Sequence, residues 1–368
     1  MGFTCGIIGL PNVGKSTIFN ALTSAKAAAA NFPFCTIEPN TGAVAVPDPR
    51  LDRLAVMAKS AKLIPTQVTF VDIAGLIKGA SKGEGLGNQF LGHIRSVDAI
   101  AHVVRCFSDS NVVHVDGGVN PTRDVETIET ELILADLDSV QKSMQRLEKV
   151  AKTGDKEAKA QFEVFQALEP HLSSGKPART LAHESLYLAQ AISTLLTSKP
   201  VMFVANVDEE FAGATPGDGA SKALDEVLGL AKERHAEVVV ISGKVESEVA
   251  ELAPEERNDY LSALGLSSSG LDRMALKGYQ LLGLITFFTV GPKEAHAWTA
   301  PGGTKAPQCA GKIHSDFEQG FIRAEIIGYE DFINAGSEVK AKEAGKLRVE
   351  GKEYEMRDGD IVHFRFNV

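Results

Sequence analysis

The sequence predicts an α/β protein built on a mostly parallel sheet with helices on both faces, carrying an inserted helical arm and followed by a small mixed module. Three observations predict it. Runs rich in Val, Ile and Phe alternate with helical patterns in the first third of the chain and again after residue 198. A glycine loop, Gly9-Leu10-Pro11-Asn12-Val13-Gly14-Lys15-Ser16-Thr17, stands between the first apolar run and the first helical pattern. Between residues 124 and 198, apolar residues recur at spacings of three and four, the signature of long amphipathic helices.

Taken in order, strands are expected at 4–9, 41–46, 67–72, 99–106, 201–206 and 237–241, each bounded by turn residues. Continuous apolar stretches such as Ala99-Ile100-Ala101-His102-Val103-Val104 suit strands covered on both faces. In the arm, Leu137, Val140, Met144, Leu147 and Ala151 trace one helical face, and Thr153-Gly154-Asp155 breaks it. Ala158, Phe162, Phe165 and Leu168 then resume the pattern, so an antiparallel, coiled-coil-like pair is expected, its apolar stripe packed on itself. A third helix is expected at 186–196. The boundary of the last module is placed at 283/284, with strands at 284–290, 321–327, 345–349, 354–357 and 361–366 and a loop at 310–314 leading into 315–317.

Composition narrows the function classes. A chain of 368 residues suggests two or three domains, and 23% charged residues is ordinary for a globular protein. No apolar run approaches the ~20 residues that span a bilayer, and the N-terminus lacks a signal-peptide pattern; the expected location is the cytoplasm, with no membrane partner. The cysteines at 5, 35, 106 and 309 form no C-x-x-C pair or metal spacing and are expected as free thiols. A net charge of −10 offers no general attraction to nucleic acid, and no sequence-specific DNA binding is expected.

The glycine loop carries the chemistry. Strand, G-x-x-x-x-G-K-[ST] and helix together form a polyphosphate cradle, with backbone N–H groups and a helix N-terminus converging on phosphate oxygens. Lys15 is placed to reach the β- and γ-phosphates, and the Ser16 hydroxyl to ligate Mg²⁺. Asp72-Ile73-Ala74-Gly75 follows a strand, as a Walker-B aspartate does: Asp72 is expected to hold Mg²⁺ through water and the Gly75 N–H to meet the γ-phosphate. Thr36, in the stretch between these elements, is the candidate for a second hydroxyl ligand of the metal. Leu76 stands where Ras-like enzymes keep a water-orienting glutamine, so an aliphatic side chain cannot do that work. Two replacements are open: His114, in a polar loop after the fourth strand, and Asn12, whose amide oxygen could help hold a monovalent cation such as K⁺. Each has a plainer alternative, a surface histidine and a loop-stabilising asparagine. The glycine-dense stretch 78–88 is read as a segment ordered by the γ-phosphate.

The base is addressed by Asn206-Val207-Asp208-Glu209, after a buried strand. GTPases have N-K-x-D there, whose aspartate accepts from guanine N1–H and the exocyclic amine. Here the asparagine is kept, the lysine is Val207, and the terminal carboxylate is on the longer Glu209. Guanine preference is weakened, and Val207 offers an apolar surface to a purine. Ser242-Gly243-Lys244 fits the last base-contacting loop or an ordinary strand-to-helix turn.

Over essentially its whole length the sequence resembles the Obg-like ATPases of the YchF branch. The carriers are residues 9–17, 31–40, Pro47-Asp48-Pro49-Arg50, Asp72-Ile73-Ala74-Gly75-Leu76, His102-Val103-Val104-Arg105-Cys106-Phe107 and Asp358-Gly359-Asp360-Ile361-Val362-His363-Phe364. The resemblance implies an Obg-type P-loop NTPase domain with a helical arm and a C-terminal TGS domain of β-grasp form. It implies binding and hydrolysis of ATP, with Asn12, Val13, Gly14, Lys15, Ser16 and Thr17 around the phosphates, Ser16 and Thr36 on Mg²⁺, and Asn206 and Val207 at the adenine. It also implies His114 in place of the missing glutamine, and the ribosome, through its large subunit, as partner. A GTP-preferring Obg-type enzyme and an ATP-sensing module with incidental hydrolysis remain as alternatives.

Overall fold

The computed structural model describes residues 3–28, 40–73, 86–109, 118–181, 192–214 and 221–367. They divide into two compact units, 1–44 with 69–281, and 45–68 with 282–368.

The first unit holds a sheet in the order β2-β4-β1-β5-β6-β7. These strands are β1 (Thr4–Ile8), β2 (Thr41–Ala45), β4 (Gln67–Asp72), β5 (Ala99–Arg105), β6 (Val201–Asn206) and β7 (Glu237–Ile241). β1 lies between β4 and β5, parallel to both, and β6 and β7 continue the parallel run. Every residue of β5 and β6 is buried, as their unbroken apolar sequences require. The register sets Ile7 beside Asp72 and Ile8 beside His102, so the glycine loop, the Asp72 carboxylate and the end of β5 emerge at one edge of the sheet.

The arm is a pair of helices, α4 (Pro121–Ala151) and α5 (Lys156–Ser173). Asn120 caps α4 by accepting from Arg123 N–H, Asp155 caps α5 by accepting from Ala158 N–H, and Gly154 takes the left-handed turn between them at φ +90°. With 31 residues α4 is about 46 Å long. Ile133, Val140, Val164, Leu168 and Leu172, with Leu137, Met144 and Phe165, form its core, so the stripe is packed within the arm as expected. At the base of the arm, Asp136 accepts from Leu196 N–H, Thr197 N–H and the Thr197 hydroxyl. Glu129 is buried against Arg179 and Arg234. The expected helix at 186–196 falls largely outside the described residues; 196–198 is a single 3₁₀ turn.

The second unit holds a sheet in the order β11-β10-β12-β8-β9-β3, with β11 at Arg348–Glu350 and β3 at Leu63–Ile64. β8 (Leu284–Val290) and β9 (Ala295–Pro301) form an antiparallel pair, and β12 (Asp360–Phe366) lies between β8 and β10 (Phe321–Gly328). Two sequence expectations are corrected here. Residues 310–314 are not a loop: a helix runs over Ala306–Ile313, because Pro307 opens it and the small Ala306, Cys309 and Ala310 pack flat against Phe287, Phe321 and Phe364. Residues 354–357 are not a strand; Tyr354, Arg348 and the Asp360 carboxylate knit a turn there, leaving one isolated bridge between Lys305 and Glu355.

The structure also assigns residues 45–68 to this second unit, although the sequence boundary stood at 283/284. The cause is pairing and packing. β3 (Leu63–Ile64) joins β9, and Leu51 and Leu54 of the helix Pro49–Ala58 are buried with Phe288, Ile327 and Phe332. Arg50 Nη1 pairs with Asp358 at 2.6 Å while its Nε donates to Asp48 at 2.9 Å. Two segments that stood apart in the sequence reading, Pro47-Asp48-Pro49-Arg50 and Asp358-Gly359-Asp360, therefore meet in one ion-pair cluster.

Candidate nucleotide-binding site

The site starts from backbone conformations that few residues tolerate. Gly14 sits at φ +95°, where a Cβ would fall on the Asn206 amide nitrogen, and Gly9 at φ +156°, where a Cβ would meet the Val103 carbonyl at 2.6 Å. Asn12 takes the left-handed conformation, φ 63°, which asparagine accepts more readily than most residues. Leu10 and Val13 are buried, so two apolar side chains anchor the loop. The first helix, Lys15–Ala28, begins at once, with Ile18 N–H donating to Gly14 O at 3.0 Å. Its free N–H groups and the exposed Ser16 and Thr17 hydroxyls occupy the loop's mouth.

Lys15 and Asp72 set the electrostatics. The Lys15 ammonium donates to Gly9 O at 2.8 Å and Leu10 O at 2.7 Å. Burial lowers its pKa, and the nearby Asp72 carboxylate opposes that shift. Asp72 shows the reverse: burial raises its pKa and Lys15 pulls it down. Asp72 Oδ1 is buried without a hydrogen-bond partner among the described residues, which costs free energy unless a cation or its water shell meets it. His102, beside this pair, is neutral. Burial, then the charges of Lys15 and Arg179, push its pKa down to about 3. It packs edge-on to Phe203 at 5.7 Å. Among the described residues no group of three or more His, Cys, Asp or Glu side chains gathers as a metal cage.

The base side is tied to the phosphate side through one amide. Asn206, 4% exposed, donates from Nδ2 to Val13 O at 2.9 Å and accepts at Oδ1 from Gly243 N–H at 2.9 Å. Its side chain therefore braces both loops. Val207 N–H donates to Ile241 O at 2.8 Å, and its side chain is 2% exposed, packed beneath the loop instead of forming an open apolar face. Asp208 accepts from Ser108 N–H at 3.1 Å. Glu209 does not stand free: its Oε2 meets Lys244 Nζ at 2.5 Å.

Comparison with known proteins follows this division. Residues 284–367 match the YchF-GTPase_C family model, described as "Protein of unknown function (DUF933)", and residues 4–167 match MMR_HSR1, described as "50S ribosome-binding GTPase". "Ribosome-binding ATPase YchF" of Bacillus subtilis strain 168 is 53% identical over 371 residues, covering 100% of each chain. Its counterpart in Escherichia coli O157:H7 is 54% identical over the same span and coverage. The chain belongs to the YchF family. The solved structure titled "Structure of the Schizosaccharomyces pombe YchF GTPase" superposes with a TM-score of 0.88 at 37% identity, covering 99% of this chain and 98% of that one. The P-loop NTPase fold and the C-terminal YchF module are thus the family's own.

Within this YchF-family fold, Asn12, Val13, Gly14, Lys15, Ser16, Thr17 and Asp72 gather at one sheet edge, and Asn206 joins them to Val207. Thr36, Gly75, Leu76 and His114 lie outside the described residues. Sequence reasoning had Glu209 and Lys244 as separate loop residues and missed their pairing. The available signal was charge complementarity at matching positions after neighbouring strands.

Proposed function

We propose that this chain binds Mg·ATP, hydrolyses it slowly to ADP and phosphate, and uses the nucleotide state to switch its association with the ribosome, through the large subunit, in the cytoplasm. The observation that carries the reading is the buried, unpartnered Asp72 Oδ1 facing Lys15 beside a loop preset for phosphate. The printed names of the bacterial relatives supply ATP and the ribosome. No helix among the described residues is long and apolar enough to cross a membrane.

The residues divide the work. Backbone N–H groups of residues 12–17 hold the α- and β-phosphates, and Lys15 turns from the loop carbonyls to the β- and γ-phosphates. Ser16 and Thr36 would ligate Mg²⁺ directly and Asp72 through water, and the ion would supply neutralisation of phosphate charge. Gly75 N–H donates to the γ-phosphate. With Leu76 in place of a water-orienting glutamine, unassisted turnover is slow, and His114 takes over the positioning of water. Asn12 helps hold K⁺ beside the phosphates. Asn206 and Val207 shape the adenine side, the first by bracing and the second by packing.

Phosphate release in the presence of Mg²⁺, with and without chelator, tests the hydrolysis. Replacing potassium by sodium should slow turnover, and equal rates remove Asn12 from cation binding. His114→Ala should bind ATP normally and release phosphate more slowly. Co-sedimentation with ribosomal subunits in ATP and in ADP tests the switch. Identical sedimentation in both would leave nucleotide-controlled association without support.

A further inference from the structure

The carboxylate that guanine would need is already engaged. Glu209 occupies the fourth position of the element that follows β6, where guanine-reading domains place the acceptor for N1–H and the exocyclic amine. Lys244 sits in the first turn of the helix Gly243–Glu251, which follows β7, the neighbouring parallel strand. Asn206 fastens both loops to each other and to the phosphate loop, so these two side chains flank the base side of the site. Lys244 Nζ contacts Glu209 Oε2 at 2.5 Å, with side chains 66% and 36% exposed. Behind them Glu248 accepts from the Tyr260 hydroxyl, keeping a second carboxylate close to the same ammonium.

An ion pair this exposed adds little to stability, so its position matters more than its strength. The ammonium occupies Oε2 of Glu209 and offsets its charge. A guanine arriving there, whose N1–H and amine together need both carboxylate oxygens, must compete with the ammonium for one of them. Adenine asks nothing of that carboxylate: its N1 is itself an acceptor, repelled by a free carboxylate and indifferent to a neutralised one.

We propose that Lys244 is a specificity-determining residue which, by holding Glu209, tilts the base site away from guanine and toward adenine. The proposal rests on the ATP reading given above.

Displacement of a fluorescent ATP analogue by ATP, GTP and ITP tests it in the full-length protein, in Lys244→Met, and in Lys244→Met/Glu209→Gln. Lys244 is largely exposed, so the variants are expected to fold, and thermal melting checks that they do. The GTP:ATP affinity ratio should rise about two- to fivefold in Lys244→Met, the scale of an exposed ion pair, and return to near the unaltered value in the double variant. ITP keeps N1–H and lacks the exocyclic amine, so its gain should be smaller than that of GTP. An unchanged ratio in Lys244→Met, or a gain that survives removal of the Glu209 charge, overturns the role of Lys244. If the unaltered protein binds GTP more tightly than ATP, the ATP reading falls and this proposal with it. If it prefers ATP and only the Lys244→Met ratio fails to move, the ATP reading stands and this proposal alone falls.

Discussion

The phosphate end and the base end of the site are built from different materials. At the phosphate end the contacts come from the main chain: Gly9, Asn12 and Gly14 adopt conformations that turn peptide groups outward, and Lys15 and Asp72 add one charge each. At the base end the side chains are already engaged within the protein: Asn206 by the Val13 carbonyl and the Gly243 N–H, Asp208 by the Ser108 N–H, and Glu209 by the Lys244 ammonium. The first construction fixes what is bound by geometry, the second by which carboxylates are left free. Substitutions at the phosphate end should therefore remove binding, and substitutions at the base end should redirect or loosen it.

The largest effect is expected from Gly14→Ala. The added methyl would collide with the Asn206 amide, which is buried and doubly bonded and cannot swing aside, and the φ of +95° adds backbone strain of about 1–3 kcal/mol. ATP affinity should fall at least about 100-fold, since strain and a displaced brace act together. Calorimetric titration measures it, and near-normal binding would break the claim that the loop is preset. Lys15→Ala should come next, weakening ATP binding by about 10- to 100-fold, the worth of hydrogen bonds from a charged group to phosphate. Its folded-state stability should not drop, because burial already disfavours the charged amine.

Asn206→Ala distinguishes bracing from base contact. It strands the Val13 carbonyl and the Gly243 N–H, so a loss of about 2–3 kcal/mol in stability is expected, with ATP and GTP weakened alike. A selective loss of ATP alone would mean that the amide reads the base directly.

The smallest effect is a gain. The raised pKa of Asp72 means the folded protein holds that proton more tightly than the unfolded chain does. Its contribution is full below the unfolded value near 3.8 and is lost as pH rises through the raised folded value, leaving the ionised carboxylate as a cost at neutral pH. Asp72→Asn should then raise the melting temperature of the nucleotide-free protein slightly at pH 7 while weakening Mg²⁺-dependent ATP binding. A lower melting temperature would mean that Asp72 serves the fold.

These contrasts also govern what could be read from the chain. The phosphate loop is legible because its chemistry is contiguous: two glycines, a lysine and a hydroxyl at set spacing between a strand and a helix. The arm is legible because 3.6-residue periodicity is local. The Glu209–Lys244 pair is not, since it depends on two loops being brought together by adjacent parallel strands. The same holds for residues 45–68, whose own sequence says helix and short strand while their partners, Phe288, Ile327 and β9, lie more than 200 residues onward. The helix over Ala306–Ile313 was hidden because its packed stripe, the buried Ala306, Cys309 and Ala310 with the partly buried Ile313, is made mostly of small residues. Val207 was legible in identity, but its burial depends on how the fold closes around it, which a local pattern does not carry.

The central claim is that this P-loop site holds ATP in preference to GTP. Competition of ATP against GTP for the unaltered protein, with Mg²⁺ present, tests it most directly. The account predicts tighter binding of ATP. Tighter binding of GTP would contradict it.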